Sequence, residues 1–501
     1  MCALAFFWRR FWPFEPQSVI ENLEEASDSR VQITTFRRTY FPSPGCVLEG
    51  VVFVHGTNPP RHLITVRRVT ITGSYFGIFA RHLSRIDAED MHVFIPPFGS
   101  GQPFHTTPST ITVGEIVANG ASVEFASRRP DQQALRFEIQ EASLRNVGWK
   151  GPLTYRVKVH NPEPPGEIAA TGQFGVWDRN DPAQTPLSGE YKFEHADLSF
   201  YKGVAGMLSS VGKFGGRLGH IDISGTTDVP DFKVKSGNHP VRLSTEFRGY
   251  VDGIHGDTFL ERVDARFRRT HIVVQGSVGG SANSHGKVAL FDMTATNSHI
   301  EDMLGLFVES PRAPMSGPVS LGAKVEIPGG ERPFLERVVL RGRFGISGGG
   351  FSNPSTQEGV NKLSAGARGE KDDSDPETVL TDLTGQVALV DGVGNFTDLS
   401  FGVPGAAARM HGTYNVLNHK IDLHGQMRVD SRISNATSGP KAFFLKLMDP
   451  VFKKRKKGEI VPVRITGTYE KPSFGLDLND KKAQETPPPH DLKMRIAPRP
   501  R

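Results

Sequence analysis

The residues whose type and spacing could do chemistry are few and scattered. Gly345-Ile346-Ser347-Gly348-Gly349 fits the Gly-x-Ser-x-Gly spacing that raises a nucleophilic serine on a strand–turn–helix elbow. Here it follows a run alternating with arginine and no helical pattern comes after it, so it reads as a glycine-rich turn. Ser210-Val211-Gly212-Lys213 fits Ser-x-x-Lys, but neither Lys-Thr-Gly nor Ser-Asp-Asn accompanies it. Asp252, His255 and Asp257 lie close enough in sequence to share a divalent cation. Asp252-Gly253 is also the usual pair of a tight hairpin, and a structural turn is the simpler expectation. The histidines show no His-Glu-x-x-His spacing, and no phosphate-cradling Gly-x-x-x-x-Gly-Lys-[Ser/Thr] occurs. Cys2 and Cys46 are the only cysteines, which excludes a disulfide framework and a four-cysteine zinc site. The expectation is a non-enzyme with no catalytic residue, no metal ligand and no cofactor.

Composition points the same way. The length of 501 residues allows about three domains or one long repetitive one. Lys+Arg at 59 against Asp+Glu at 54 gives a net charge of +5, too small for that length to argue for nucleic acid. The 37% hydrophobic content is low for a thick core, while Gly 54 and Pro 36 fall short of wholesale disorder. A folded, turn-rich chain with a thin core is implied.

Along the chain a period of two dominates. Leu153, Tyr155, Val157 and Val159 alternate with Thr154, Arg156, Lys158 and His160. The same alternation places Val241, Leu243, Thr245 and Phe247 on one face, then Val319, Leu321, Ala323, Val325 and Ile327, then Ile421, Leu423, Gly425, Met427 and Val429. Each run predicts a strand with one apolar and one polar side, the pattern of antiparallel sheets. Turn signals such as Asp252-Gly253, Pro328-Gly329-Gly330 and Asp391-Gly392 punctuate them. Helical pattern is scarce. Pro16–Ala26 predicts a short amphipathic helix with Val19, Ile20, Leu23 and Ala26 on one face. Residues 203–211, 300–308 and 441–451 are further short helix candidates.

The ends have their own signatures. Met1–Trp8 is apolar and is followed by Arg9-Arg10-Phe11-Trp12-Pro13-Phe14. Eight residues of helix cover about 12 Å, less than the ~30 Å of a bilayer core, so residues 1–14 read either as an apolar tag or as the remnant of a membrane anchor begun further upstream. Phe443, Phe444 and Leu447, followed by Lys453, Lys454 and Arg455, form an apolar and basic segment suited to a membrane surface. A groove-capping helix is the alternative. Residues 479–501 contain Pro487-Pro488-Pro489 and read as a disordered basic tail.

Ser224-Gly225-Thr226-Thr227-Asp228-Val229-Pro230-Asp231-Phe232 and Thr466-Gly467-Thr468-Tyr469-Glu470-Lys471-Pro472-Ser473-Phe474 share Gly, Thr, Pro and Phe at the same offsets. Each follows a basic-glycine turn and a helix candidate, so an internal repeat is expected. On these residues, and on Trp12-Pro13-Phe14, Ser29-Arg30-Val31-Gln32-Ile33, Tyr40–Cys46, Gly394-Asn395-Phe396, Val403–Ala406, His411-Gly412-Thr413-Tyr414 and Ile421–Gly425, the chain resembles the AsmA family of bacterial envelope proteins. That family is related to TamB and similar to the chorein-type bridge proteins that carry lipid. The resemblance covers most of residues 12–478 and rests on structural glycines and turns.

The resemblance implies a mainly β fold: a long, strongly curved antiparallel sheet forming an open groove, with a few short helices. It implies an N-terminal half over 15–235 and a C-terminal half over 236–478. Alternation alone does not separate such a groove from a closed β-sandwich. The implied function is holding lipid acyl chains for phospholipid transport between inner and outer membrane and outer-membrane biogenesis. The implied location is the bacterial envelope, inner-membrane anchored with most of the chain in the periplasm. Phospholipids, the membrane and inner- or outer-membrane proteins are the expected partners, and nucleic acid is not. The groove lining is expected at Leu153, Tyr155, Val157, Val241, Leu243, Phe247, Val319, Leu321, Val325, Ile421, Leu423 and Met427. Two other readings stand beside this one: a periplasmic scaffold that assists outer-membrane protein insertion without moving lipid, and a β-rich enzyme acting on polysaccharide.

Overall fold

The computed structural model describes residues 14–27, 29–55, 61–95, 111–125, 135–148, 151–178, 181–201, 203–254, 256–280, 287–308, 312–330, 332–352, 381–403, 406–429, 460–468 and 471–477. The segments 441–451 and 453–455, the tail after 478, residues 1–13 and His255 lie outside the described residues.

Strands with alternating sequence dominate this chain. Helix α1 (Pro16–Ser27) precedes β1 (Arg30–Thr39), β2 (Gly45–His55) and β3 (Arg61–Gly73). Helix α2 (Tyr75–Phe79) leads into β4 (His82–Ile95), β5 (Thr112–Phe125), β6 (Leu135–Val147), β7 (Leu153–Pro162), β8 (Pro165–Phe174) and β9 (Pro186–Asp197). Next come β10 (Val204–Ala205), β11 (Met207–Arg217), β12 (His220–Val234), β13 (Val241–Val251), β14 (Thr258–Phe267), β15 (Thr270–Gly280) and β16 (Lys287–His299). Helix α3 (Ile300–Leu304), β17 (Met315–Ser316), β18 (Pro318–Ile327), helix α4 (Phe334–Arg337), β19 (Val339–Ile346) and β20 (Gly350–Phe351) follow. The last are β21 (Thr381–Val390), β22 (Val393–Val403), β23 (Ala406–Asn415), β24 (Lys420–Val429), β25 (Ile460–Thr468) and β26 (Pro472–Leu476).

The fold class is the mainly β one expected. An open, unclosed, antiparallel-rich sheet holds 24 strands, and β17 pairs with β20 apart from it. One pairing departs from the antiparallel expectation among those between described residues: β4 and β5 run parallel, His82 opposite Thr112 through Ile95 opposite Phe125.

Contacts divide the chain into two compact units, Met1–Ala313 with Leu321–Val339, and Pro314–Ser320 with Leu340–Arg501. In the first, β1 to β9 and β11 to β16 each pair with the next in order. The expected 235/236 boundary falls between β12 and β13, which pair with each other inside this unit. In the second, β19 and β21 to β26 form a similar meander. Its β21–β22 turn is the predicted Asp391-Gly392, both with φ near +50 to +75° (48° and 75°), the primed-turn geometry that matches strand twist.

Helix α1 follows its pattern closely. Its apolar residues Val19, Ile20 and Leu23, with Phe14 ahead of it, pack on Val31, Cys46, Leu48, Val51, Val66 and Ile71. Ile300–Leu304 is helical as expected, but shorter. Residues 203–211 are not a helix: they form β10 and the start of β11, because Ser209 and the following residues find a full antiparallel partner in β12. The proposed repeat copies also occupy different places. Ser224–Phe232 runs along the single strand β12, whereas the second copy begins at the end of β25 and finishes in β26.

Candidate functional site

Register converts the alternation into rows that cross strands. One row in the first unit reads Phe36, Leu48, Val69, Ala88, Ala118, Ala142, Val157, Ala170, Tyr191, Gly212, Gly225, Phe247, Val263, Val274, Met293. Each residue stands opposite the next, from β1 to β16 with only β10 skipped, and no member is charged. A neighbouring row runs from Cys46 on β2 through Ile71, Ile86, Ile116, Leu144 and Tyr155 to Phe214, Ile223, Leu260 and Phe291. It too is uncharged, glycine filling the remaining positions. In the second unit Gly342, Val387, Phe396, Gly412, Leu423, Ile465 and Phe474 form a similar row.

The predicted lining residues fall unequally on these rows. Val157 and Phe247 lie in the long row, Tyr155 in its neighbour and Leu423 in that of the second unit. Leu153 stands opposite Phe174 at one margin. Val241 and Leu243 belong to a side cluster with Val234, Phe267, Leu306 and Met303, where the segment after β16 covers them. Val319 and Val325 are buried and Leu321 half-buried on one side of β18. Ile421 pairs with Tyr414 and Gly467, and Met427, buried, with Ala408 and Val461. The row members that sequence reasoning did not single out, among them Tyr191, Val263, Val274 and Met293, carry the same alternating signal, but only register shows them to be adjacent.

Burial changes along the long row. Leu48 is fully buried beneath α1. From Ala142 to Met293 every member is only half-buried, so among the described residues no second layer buries that stretch. The aromatic rings there lie over glycines. A Cβ added at Gly212 would stand 2.7 Å from Tyr191 Cε1, and one at Gly189 2.7 Å from both Phe214 Cζ and Tyr155 Oη. Rings laid across glycines pave the sheet and leave the space above it open.

The other face is ionic. Arg85 and Arg145 both reach Glu115, at 2.9 and 3.0 Å, while Arg68 pairs with Glu49, Arg242 with Asp228 and Lys324 with Asp292. The Asp264 carboxylate, hydrogen-bonded by Arg262 and by His271, is held down at a pKa of about 2. In the second unit, Asp477 and Asp422 flank His424 at 2.5 and 3.0 Å and raise its pKa.

The chemical candidates do not assemble. Ser210 and Lys213, three apart on β11, point to opposite faces: Ser210 bonds Tyr191 Oη at 3.1 Å and Lys213 bonds Glu190 at 2.9 Å. Ser347 sits in a bend whose backbone N–H donates to the Pro318 carbonyl, and the short strand β20, not a helix, follows directly. Asp252 accepts from the Ile254 N–H within the turn, and Asp257 accepts from the Gly280 N–H at the end of β15, so each carboxylate braces backbone. Burial pushes the Cys46 thiol up to about 12, which removes its nucleophilic form at neutral pH. Among the described residues no group of three or more His, Cys, Asp or Glu could hold a metal, and no helix is long and apolar enough to cross a membrane. Comparison with protein-family models, with curated proteins and with solved structures finds no match.

Proposed function

We propose that this chain is a non-enzymatic lipid-holding protein, and that its uncharged face is the wall of an open groove for acyl chains. The observation that carries this reading is the long row from Phe36 to Met293. Fourteen steps at ~4.8 Å per strand extend about 70 Å along the ladder without a charge. An acyl chain in water costs about 0.8 kcal/mol for each exposed CH₂. A half-exposed apolar row removes much of that cost at every point along it, while a head group stays in solvent. The ionic opposite face keeps the sheet soluble and discourages it from folding onto itself. Successive bulges, at Val229/Phe232, Arg248/Gly249 and Leu260/Val263, bend strands locally and favour a curved wall. The resemblance to the AsmA family supplies the setting: phospholipid movement between inner and outer membrane in a bacterial envelope, with the membrane and membrane proteins as partners.

The test is native mass spectrometry, with lipid extraction, on the full chain purified without detergent. Several phospholipids per chain are expected. Phe247→Asp and Val263→Asp, both at half-buried positions, should cut that number while leaving the circular dichroism spectrum unchanged. A folded, lipid-free chain would overturn the reading and favour a scaffold.

A further inference from the structure

The polar face of the second unit differs from that of the first in what answers its charges. Alternation along β19, β23 and β25 sends Arg341, Arg343, Arg409 and Arg464 to the side opposite the apolar row. All four are exposed, and their guanidinium groups make no hydrogen bond or ion pair among the described residues. In the first unit Arg68, Arg85, Arg145, Arg242 and Arg262 each meet a carboxylate. The described strands of the second unit contain no glutamate. Their aspartates on this face are engaged or marginal. Asp398 accepts from Gln386 Nε2 at 3.2 Å, Asp422 and Asp477 flank His424, and Asp382 lies at the start of β21.

Register sets the spacing. Arg343 opposes Gln386 and Gln386 opposes Thr397; further along, His411, His424 and Arg464 oppose one another in turn. The steps from β19 through β21, β22, β23 and β24 to β25, at ~4.8 Å each, hold Arg343 and Arg464 about 24 Å apart along the ladder. Arg409 lies between them, two residues from His411 on β23. The exposed side chains among the arginines are amides and hydroxyls, Gln386, Asn395, Thr397 and Gln426, with Thr384 hydrogen-bonded to Ser400 at 2.8 Å.

A small anion would meet only one end of this array, so its complement is a chain of spaced negative charges. We infer that this face binds an extended anionic polysaccharide. The arginines take its acidic groups as charge-assisted pairs, and the amides and hydroxyls between them take its sugar hydroxyls. An acidic protein surface is the poorer fit, because a protein interface has an apolar centre. The exposed large apolar side chains described in this unit, Val390, Leu417 and Ile460, lie at strand ends or in a turn. None is an aromatic ring on which a nucleic-acid base could stack. The inference concerns the side of the sheet away from the groove wall and does not depend on the lipid-holding reading.

The experiment measures binding of the full chain to polygalacturonate, with dextran as the uncharged glycan, polyglutamate as the acidic peptide and phosphatidylglycerol vesicles as the anionic membrane. Binding to polygalacturonate that weakens with salt, with dextran, polyglutamate and vesicles each bound at least about tenfold more weakly, is the expected result. The double variants Arg341→Gln/Arg343→Gln and Arg409→Gln/Arg464→Gln should each lower polygalacturonate affinity about tenfold, with an unchanged circular dichroism spectrum. Arg156→Gln/Arg266→Gln removes two exposed arginines from β7 and β14 of the first unit and should leave the affinity unchanged. Absence of polygalacturonate binding would overturn the inference, as would equal or tighter binding of polyglutamate or vesicles. An equal loss in all three double variants would also overturn it, since net charge and not this face would then be responsible. Lipid content by native mass spectrometry is read on the same samples, so lipid holding and glycan binding can fail separately.

Discussion

At the scale of single residues, the uncharged face depends on small side chains as much as on apolar ones. Gly212 is occupied from above by the Tyr191 ring and from the side by Ser224 O, 2.5 Å from an added Cβ. Gly212→Val should cost about 1–3 kcal/mol by overpacking, although valine itself favours strands. A chemical-denaturation midpoint measures it, and an unchanged midpoint would mean the ring is free to lift. His424 makes a second residue-level case. Both its nitrogens face carboxylates, Asp477 and Asp422, and only imidazolium can donate to both. Its raised pKa means the contribution is complete below the ordinary value of 6.5 and is lost as pH rises through the folded-state value. Amides of β26 should therefore exchange faster at about pH 8.5 than at about pH 5.5 after correction for intrinsic rate, and His424→Gln should remove that difference.

At the scale of elements, α1 is a local lid at one end of a face whose stretch from Ala142 to Met293 is only half-buried. Leu48, at 0% exposure, sits beneath it. Leu48→Ala should destabilise β1–β3 by about 2–5 kcal/mol, whereas Val157→Ala, at a half-buried position of the same row, should cost clearly less. Thermal melts of the two variants compare them directly. The difference comes from cover: a side chain already touching water has less transfer free energy to lose.

At the scale of the whole molecule, strand contacts follow chain order, so stability is a sum of neighbouring terms. Hydrogen exchange on Leu48→Ala should show lost protection in β1 to β5 and native protection in β13 to β16. Uniform loss across the first unit would instead point to one cooperative block. The same near-neighbour logic lets a face extend strand by strand without a thick core, which accounts for the low hydrophobic content.

How far each feature is legible in the sequence follows from the range of the interaction behind it. Alternation is local, so the strands containing Leu153, Val241, Val319 and Ile421, the turn at Asp391-Gly392 and the helix from Pro16 are all readable from short windows. The strand at 203–211 is not, because Val204, Met207, Leu208 and Val211 fall at helical spacing, and only the ladder partners supplied by β12 decide for a strand. Parallel pairing of β4 with β5 is equally invisible, since nothing in either strand records the direction of its neighbour. The apolar and polar faces were determined by the order of side chains along each strand. Which apolar residues stand side by side, and that Val241 is buried while Phe247 is only half-buried, was decided only by tertiary register, because a one-residue slip would turn every side chain to the other face.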